Sequence, residues 1–112
     1  MSLERAKAYL AEYGRDGDVL EFDVLSATVE LAAAAVGCAP ERIAKTLSFS
    51  VGDRVALVVC AGDARIANSK FKERFECKAK MLSADEAEKR IGHAVGGVCP
   101  FGVKDECDVY LD

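Results

Sequence analysis

The chain alternates between two hydrophobic periods. At the start, Leu3, Ala6, Leu10 and Tyr13 fall on one helical stripe. Ser2 stands in front as an N-cap, and Gly14 follows as a stop. Val19, Leu20 and Phe22 predict a short extended piece. Ser26 is positioned to cap a second helix running through Val29 to Val36, ended by Gly37. The run Ala32 to Ala35 would let that helix approach a neighbour closely. Pro40 suits the first turn of a short third helix, where its missing N–H costs nothing. The period then changes. In Thr46-Leu47-Ser48-Phe49-Ser50-Val51 the apolar residues alternate, which predicts a strand with one buried face. Gly52-Asp53 suits a hairpin turn. Val55 to Cys60 is apolar throughout, as expected of a central strand covered on both faces. Asn68 is placed to cap a helix from Ser69 to about Phe75, and Lys78 to Leu82 reads as a short strand. Ser83-Ala84-Asp85-Glu86 has the S-x-x-E form of a capping box and opens a helix through Arg90 and Ile91. Val109 to Leu111 is a last short strand.

Composition narrows this mixed α/β pattern to one domain. The 112 residues are 51% apolar, enough for one packed core and too apolar for a disordered chain. The net charge is −4, so a general positive field for nucleic acid is excluded and any RNA contact must be local. The charges are uneven. Residues 65–80 carry Arg65, Lys70, Lys72, Arg74, Lys78 and Lys80 against only Glu73 and Glu76. This stretch reads either as a solvated helix face or as a phosphate-facing patch. Five cysteines, an odd number without a C-x-x-C, argue against a disulfide framework or a zinc site. The first residues lack the apolar run of a signal peptide, and no stretch is long enough to span a membrane. A reducing cytoplasmic location is expected.

Two segments are candidates for chemistry. Lys45 sits where a short helix meets the first sure strand, and an ammonium fixed there can meet a phosphate or a developing oxyanion. The plainer alternative is a surface lysine. Residues 92–102, Gly-His-Ala-Val-Gly-Gly-Val-Cys-Pro-Phe-Gly, hold four glycines and a proline. Such a segment either turns tightly or lets a ligand approach its N–H groups. It matches neither phosphate-binding glycine motif. His93, the only histidine, is a conceivable base or substrate contact, or a hydrogen-bonded structural residue. Cys99 is a conceivable nucleophile, though with no adjacent base it reads better as a small buried hydrophobe.

Four passages resemble the YbaK/EbsC/ProX-like aminoacyl-tRNA-editing domains, relatives of the editing insertion of bacterial prolyl-tRNA synthetase. Ser26-Ala27-Thr28-Val29-Glu30 resembles the family's "s-x-T-v-e-e-A-A", and Ile43-Ala44-Lys45-Thr46-Leu47 its "I-x-K-T-L". Val59 to Asp63 with Lys70-Phe71 resembles "v-x-x-G-D … K-l", and residues 92–102 resemble "G-x-x-x-G-G-v-x-P-f-G". The resemblance spans nearly the whole chain. It implies a curved, barrel-like mixed β-sheet surrounded by helices, with residues 1–112 forming one domain that lacks the family's C-terminal strand and helix.

The same resemblance implies a trans-editing hydrolase acting on the acceptor end of mischarged aminoacyl-tRNA carrying a small amino acid of the Ala, Cys, Ser or Thr type. A tRNA synthetase would be a partner, and no cofactor or metal would be needed. Lys45, Gly96 and Gly97 would be catalytic. Thr28, Thr46, Gly62, Asp63, His93, Val98, Cys99, Pro100 and Gly102 would line the substrate site. The alternatives are a non-catalytic tRNA-end-binding or regulatory module of the same fold, and an enzyme for another small aminoacyl or peptidyl ester.

Overall fold

A computed structural model describes residues 2–22, 28–94 and 97–112. Its centre is a hairpin. β1 (Ala44–Val51) and β2 (Arg54–Ala61) pair antiparallel in unbroken register from Val51↔Arg54 to Ala44↔Ala61. Gly52 takes the left-handed backbone (φ 60°) that makes the two-residue turn possible. β3 (Cys107–Leu111) lies parallel to β2 on its other side, with Leu57 opposite Val109. The strand order is β1-β2-β3. Beyond β1, Met81 bridges to Phe49, flanked by the Ser50 N–H donating to the Lys80 carbonyl and the Leu82 N–H donating to the Ser48 carbonyl. The expected strand at Lys78–Leu82 is therefore a single bridge. Among the described residues the sheet is open and not closed into a barrel. The expected barrel-like closure is thus not seen among the described residues, while the mixed α/β class holds.

Helices cover both faces. α4 (Ala84–Arg90) opens with the capping box: Ser83 Oγ accepts from the Glu86 N–H, and Glu86 accepts from the Ser83 N–H. Its buried Ala87, with Ile91 after it, joins Val55, Leu57 and Leu82 in the main core, against which Val98, Val103 and Cys107 pack. Arg90 fixes the end of α4, donating to Glu106 at 2.9 Å and to the carbonyl of Asp53. α3 (Asn68–Phe75) covers the opposite face through an aromatic chain: Phe49 to Phe71 (4.7 Å), Phe71 to Phe75 (4.5 Å), and Phe75 edge-on to Tyr110 (5.0 Å). Coverage from two sides explains why β2 is apolar throughout. It also explains why Ser48, on the polar positions of β1, is buried rather than solvated.

The remaining elements differ in detail from expectation. α1 (Leu3–Ala11) is capped by Ser2. α2 (Val29–Val36) is capped by Thr28, whose Oγ1 accepts from the Leu31 N–H, and ends in left-handed Gly37. Ser26 lies outside the described residues. Pro40–Arg42 forms one tight 3₁₀ turn. Asn68 is the first residue of α3 and not its cap, which is Ala67. Val19, Leu20 and Phe22 join no strand; Leu20 and Phe22 are exposed. Among the described residues, no helix is long and apolar enough to cross a membrane.

Leu57 is fully buried at the centre of the main core. Leu57→Ala is expected to cost ~2–5 kcal/mol. Urea unfolding would show this as a lower midpoint with an unchanged slope.

Candidate functional site

Lys45 occupies the second position of β1, opposite Cys60 of β2. Side chains alternate along a strand, so Lys45 shares its face with Leu47 and Phe49, and that face is the one α3 covers. Its half-buried ammonium donates to the carbonyl of Gly62 at 3.1 Å and to the carbonyl of Ala64. Both acceptors belong to the turn in which the Ala64 N–H closes on the Ala61 carbonyl. An ammonium has three donors. Two are held by neutral carbonyls, and among the described residues Lys45 forms no ion pair. The result is an oriented positive charge with a donor to spare. Nearby Cys60 feels both effects: burial pushes its thiol pKa up, and Lys45 pulls it down by less.

Gly62 explains why this turn stays close. A Cβ there would meet the carbonyl oxygen of Pro40 at 2.2 Å and Cγ1 of Val29 at 2.6 Å. The exit of β2 is therefore pressed against the 3₁₀ turn before β1 and the first residue of α2. Lys45, Gly62, Asp63, Val29 and Thr28 are drawn to one corner by this contact. Asp63 and Thr28 are exposed at its rim. Thr46 follows Lys45 by one residue and so faces the other way, opposite Val59 on the α4 side.

The glycine loop forms a second group, anchored to α1. His93 is fully buried. Its Nδ1 accepts from the Ser2 N–H at 2.8 Å, and Nε2 lies 2.8 Å from the carbonyl of Phe101, to which it donates. This pair of partners selects the Nε2–H tautomer. Burial, the strongest influence, moves the imidazole pKa below its ordinary value. The Phe101 carbonyl opposes that shift, and the N-terminal amine and Arg5 add to it. Cys99 Sγ sits 3.5 Å from Nε2, which carries the proton, and burial raises the thiol pKa. An unactivated thiol is the consequence. Gly92 and Gly102 both have left-handed backbones pressed on Arg5: a Cβ at Gly102 would lie 2.4 Å from the Arg5 carbonyl oxygen, and Arg5 Nε donates to the Gly102 carbonyl at 2.8 Å. The Gly97 N–H closes a turn on the Ala94 carbonyl at 3.0 Å. Val98 packs on the main core, and Cys99 and Pro100 are half-buried. Gly96 lies outside the described residues. Among those described, no hydrogen bond joins this loop to the Lys45 corner.

Ser2 and Arg5 were not visible as site residues in sequence. Each acts over some ninety residues, through a backbone amide and a guanidinium, and no local signal marks such a partner. Nor could the sequence name the carbonyls of Gly62 and Ala64 as the seat of Lys45.

The fold and corner define a mixed α/β domain that presents one held lysine beside a strand exit and, separately, a glycine loop anchored to α1. The chain belongs to the aminoacyl-tRNA editing domain family, whose profile matches residues 25–112. It is similar to the uncharacterized protein YwhH of Bacillus subtilis (strain 168), with 49% identity over 113 residues, covering 100% of this chain and 72% of that protein. It is also similar to a proline–tRNA ligase of Geobacillus sp. (strain WCH70), at 29% identity over 86 residues. That match covers 76% of this chain but only 15% of the ligase. A crystal structure provisionally assigned as a trans-editing enzyme for prolyl tRNA synthetase superposes with a TM-score of 0.86 and 27% identity, covering 99% of this chain and 71% of the other.

Two outcomes test this geometry. Gly62→Ala forces the Pro40 and Val29 contacts apart and is expected to cost ~1–3 kcal/mol, seen as a lower urea midpoint. His93 has a folded pKa below its unfolded one, so the unfolded chain takes the proton first. Stability should be full above the ordinary histidine pKa of about 6.5 and fall as pH drops below it. His93→Gln should lose that pH-dependent segment. A variant as pH-sensitive as wild type between about pH 7 and 5.5 would contradict the assignment.

Proposed function

We propose that the domain hydrolyses the ester between a small amino acid (alanine, cysteine, serine or threonine) and the terminal ribose of tRNA, acting in trans on mischarged molecules. Family membership supports editing. The observation that carries the catalytic reading is the Lys45 ammonium, held by two carbonyls, unpaired among the described residues, and left with one donor. In this reading Lys45 binds the phosphate or ribose of the acceptor end, and the glycine loop is the group proposed to receive the ester. Water attacks the ester carbonyl, the bond to the ribose oxygen breaks, and that oxygen leaves with a proton.

The developing oxyanion needs N–H donors already in place. The family resemblance implies Gly96 and Gly97 for this role. Because the Gly97 N–H closes its own turn, the amides of Val98 and Cys99 are the better candidates beside Gly96. Thr28, Gly62 and Asp63 form the rim at the Lys45 corner. Thr46, Val98, Cys99, Pro100 and Gly102 shape the wall on the loop side, with His93 bracing it from behind. No side chain here is a ready general base, so the proton is proposed to pass through the substrate's own ribose hydroxyl or, for cysteine, its thiol. Residues 1–112 act as one editing unit, with a synthetase as a source of substrate. The spent Gly97 N–H favours a second reading, a module of the same fold that holds tRNA ends without turnover.

Deacylation of tRNAs charged with Ala, Cys, Ser, Thr or Pro decides between them. Release of one small amino acid is expected, reduced roughly 10²-fold or more by Lys45→Ala with unfolding midpoint unchanged. Release of none by a folded sample would favour the non-catalytic module.

A further inference from the structure

Between α3 and the segment that follows it lies an open cleft of about 390 Å³, lined by Asn68, Ser69, Lys72, Lys78 and Ala79. Both lysines are exposed. Among the described residues, none of the six basic side chains of residues 65–80 forms an ion pair. Arg74 is engaged otherwise, stacked 5.2 Å over the rings of Phe75 and Tyr110. Six basic residues stand against two acidic ones in this stretch of a chain of net charge −4, and two of them, Lys72 and Lys78, line the cleft. An ordinary solvated face would mix the signs. The cleft is also polar at its helical end. Ala67 caps α3 without a side-chain oxygen, so the amides of the first turn lack a side-chain partner, and Asn68 and Ser69 stand beside them.

The position of the cleft is as informative as its charge. α3 packs on the sheet through Phe71 against Phe49, and Phe49 and Lys45 lie on the same face of β1. The carbonyl of Ala64, which holds Lys45, is four residues from the start of α3. The basic cleft and the Lys45 corner therefore belong to one side of the molecule.

We propose that this cleft binds the sugar–phosphate backbone of the tRNA acceptor arm. Lys72 and Lys78 neutralise its phosphates, and Asn68 and Ser69 hydrogen-bond their oxygens. The terminal ester is thereby directed to the Lys45 side. The identity of the RNA rests on the editing reading, whereas the surface itself is tested separately. Binding of uncharged tRNA, followed by fluorescence anisotropy from about 50 to 200 mM salt, is compared between wild type, Lys72→Ala/Lys78→Ala and Lys89→Ala, a charge removed from α4. Circular dichroism checks the fold of each. The double variant should bind more weakly and flatten the plot of log K against log salt by about 1.4–1.8. It should also raise KM for aminoacyl-tRNA with kcat unchanged. Lys89→Ala should retain at least half of any slope the double variant loses. An unchanged slope in the double variant overturns the proposal, even if the variant loses affinity for an acidic protein partner. An equal loss in Lys89→Ala overturns it too, since the attraction would then be diffuse. Deacylation with an unchanged slope refutes the surface alone, and a patch-dependent slope without any deacylation refutes the editing reading alone.

Discussion

The corner that holds Lys45 depends on a backbone contact that only glycine permits. At Gly62 the chain leaves β2 with the carbonyl of Pro40 so close that a Cβ would sit 2.2 Å away, and with Val29 nearly as near. Four segments meet there: the end of β2, the 3₁₀ turn, the start of β1 and the start of α2. The contact brings the Gly62 and Ala64 carbonyls over β1, where the second residue of the strand reaches them. A lysine on a four-carbon stem would otherwise be mobile, and holding it costs side-chain entropy. Two charge-assisted hydrogen bonds offset that cost and leave its charge undiminished. Carbonyl partners matter here, because a carboxylate would have cancelled the field that attracts an anion.

The glycine loop is held by different means. Its described residues form no helix or strand, and they are tied to α1 at three places: Ser2 on His93, Arg5 on Gly102, and the aromatic contact of Tyr9 with Phe101 at 6.0 Å. The histidine serves as a neutral bridge between the backbone groups of Ser2 and Phe101, at opposite ends of the chain. Its burial without a charged partner keeps the proton on one nitrogen and makes the bridge directional. In the proposed reading, any chemistry by this loop falls to backbone amides rather than to its most reactive-looking side chains. That division suits a substrate that is an ester, whose hydrolysis needs a held carbonyl more than a strong base.

Local features of the sequence were legible because their causes are local. Gly52-Asp53 demanded a turn, Ser83 to Glu86 spelled out a capping box, and Gly37 could end a helix by its left-handed backbone. Errors arose where tertiary packing decided. The alternation of β1 predicted one buried face, but the bridge at Met81 and the cover from α4 buried Ser48 as well. Asn68 had the chemistry of a cap, yet the helix began at that residue. Lys45 could be singled out as a cation at a strand start, but its seat could not, since two carbonyls carry no sequence signature. The parity of β1 separates Lys45 from Thr46, a consequence of strand geometry that the motif containing both conceals.

Charge placement is the last link between fold and function. An acidic domain repels RNA over most of its surface, and this suppresses unproductive binding by the Coulomb term that dominates nonspecific affinity. Among the described residues, the held ammonium of Lys45 and the lysines around α3, none in an ion pair, lie on one side of the sheet. An approaching polyanion experiences a gradient that turns it toward that side before any contact forms. Orientation by repulsion elsewhere needs fewer contacts than orientation by attraction alone. A domain this small has little surface to spend on base recognition, so under the proposed editing reading a charge pattern that aligns the acceptor end serves better than tight binding, which would also retain the deacylated product.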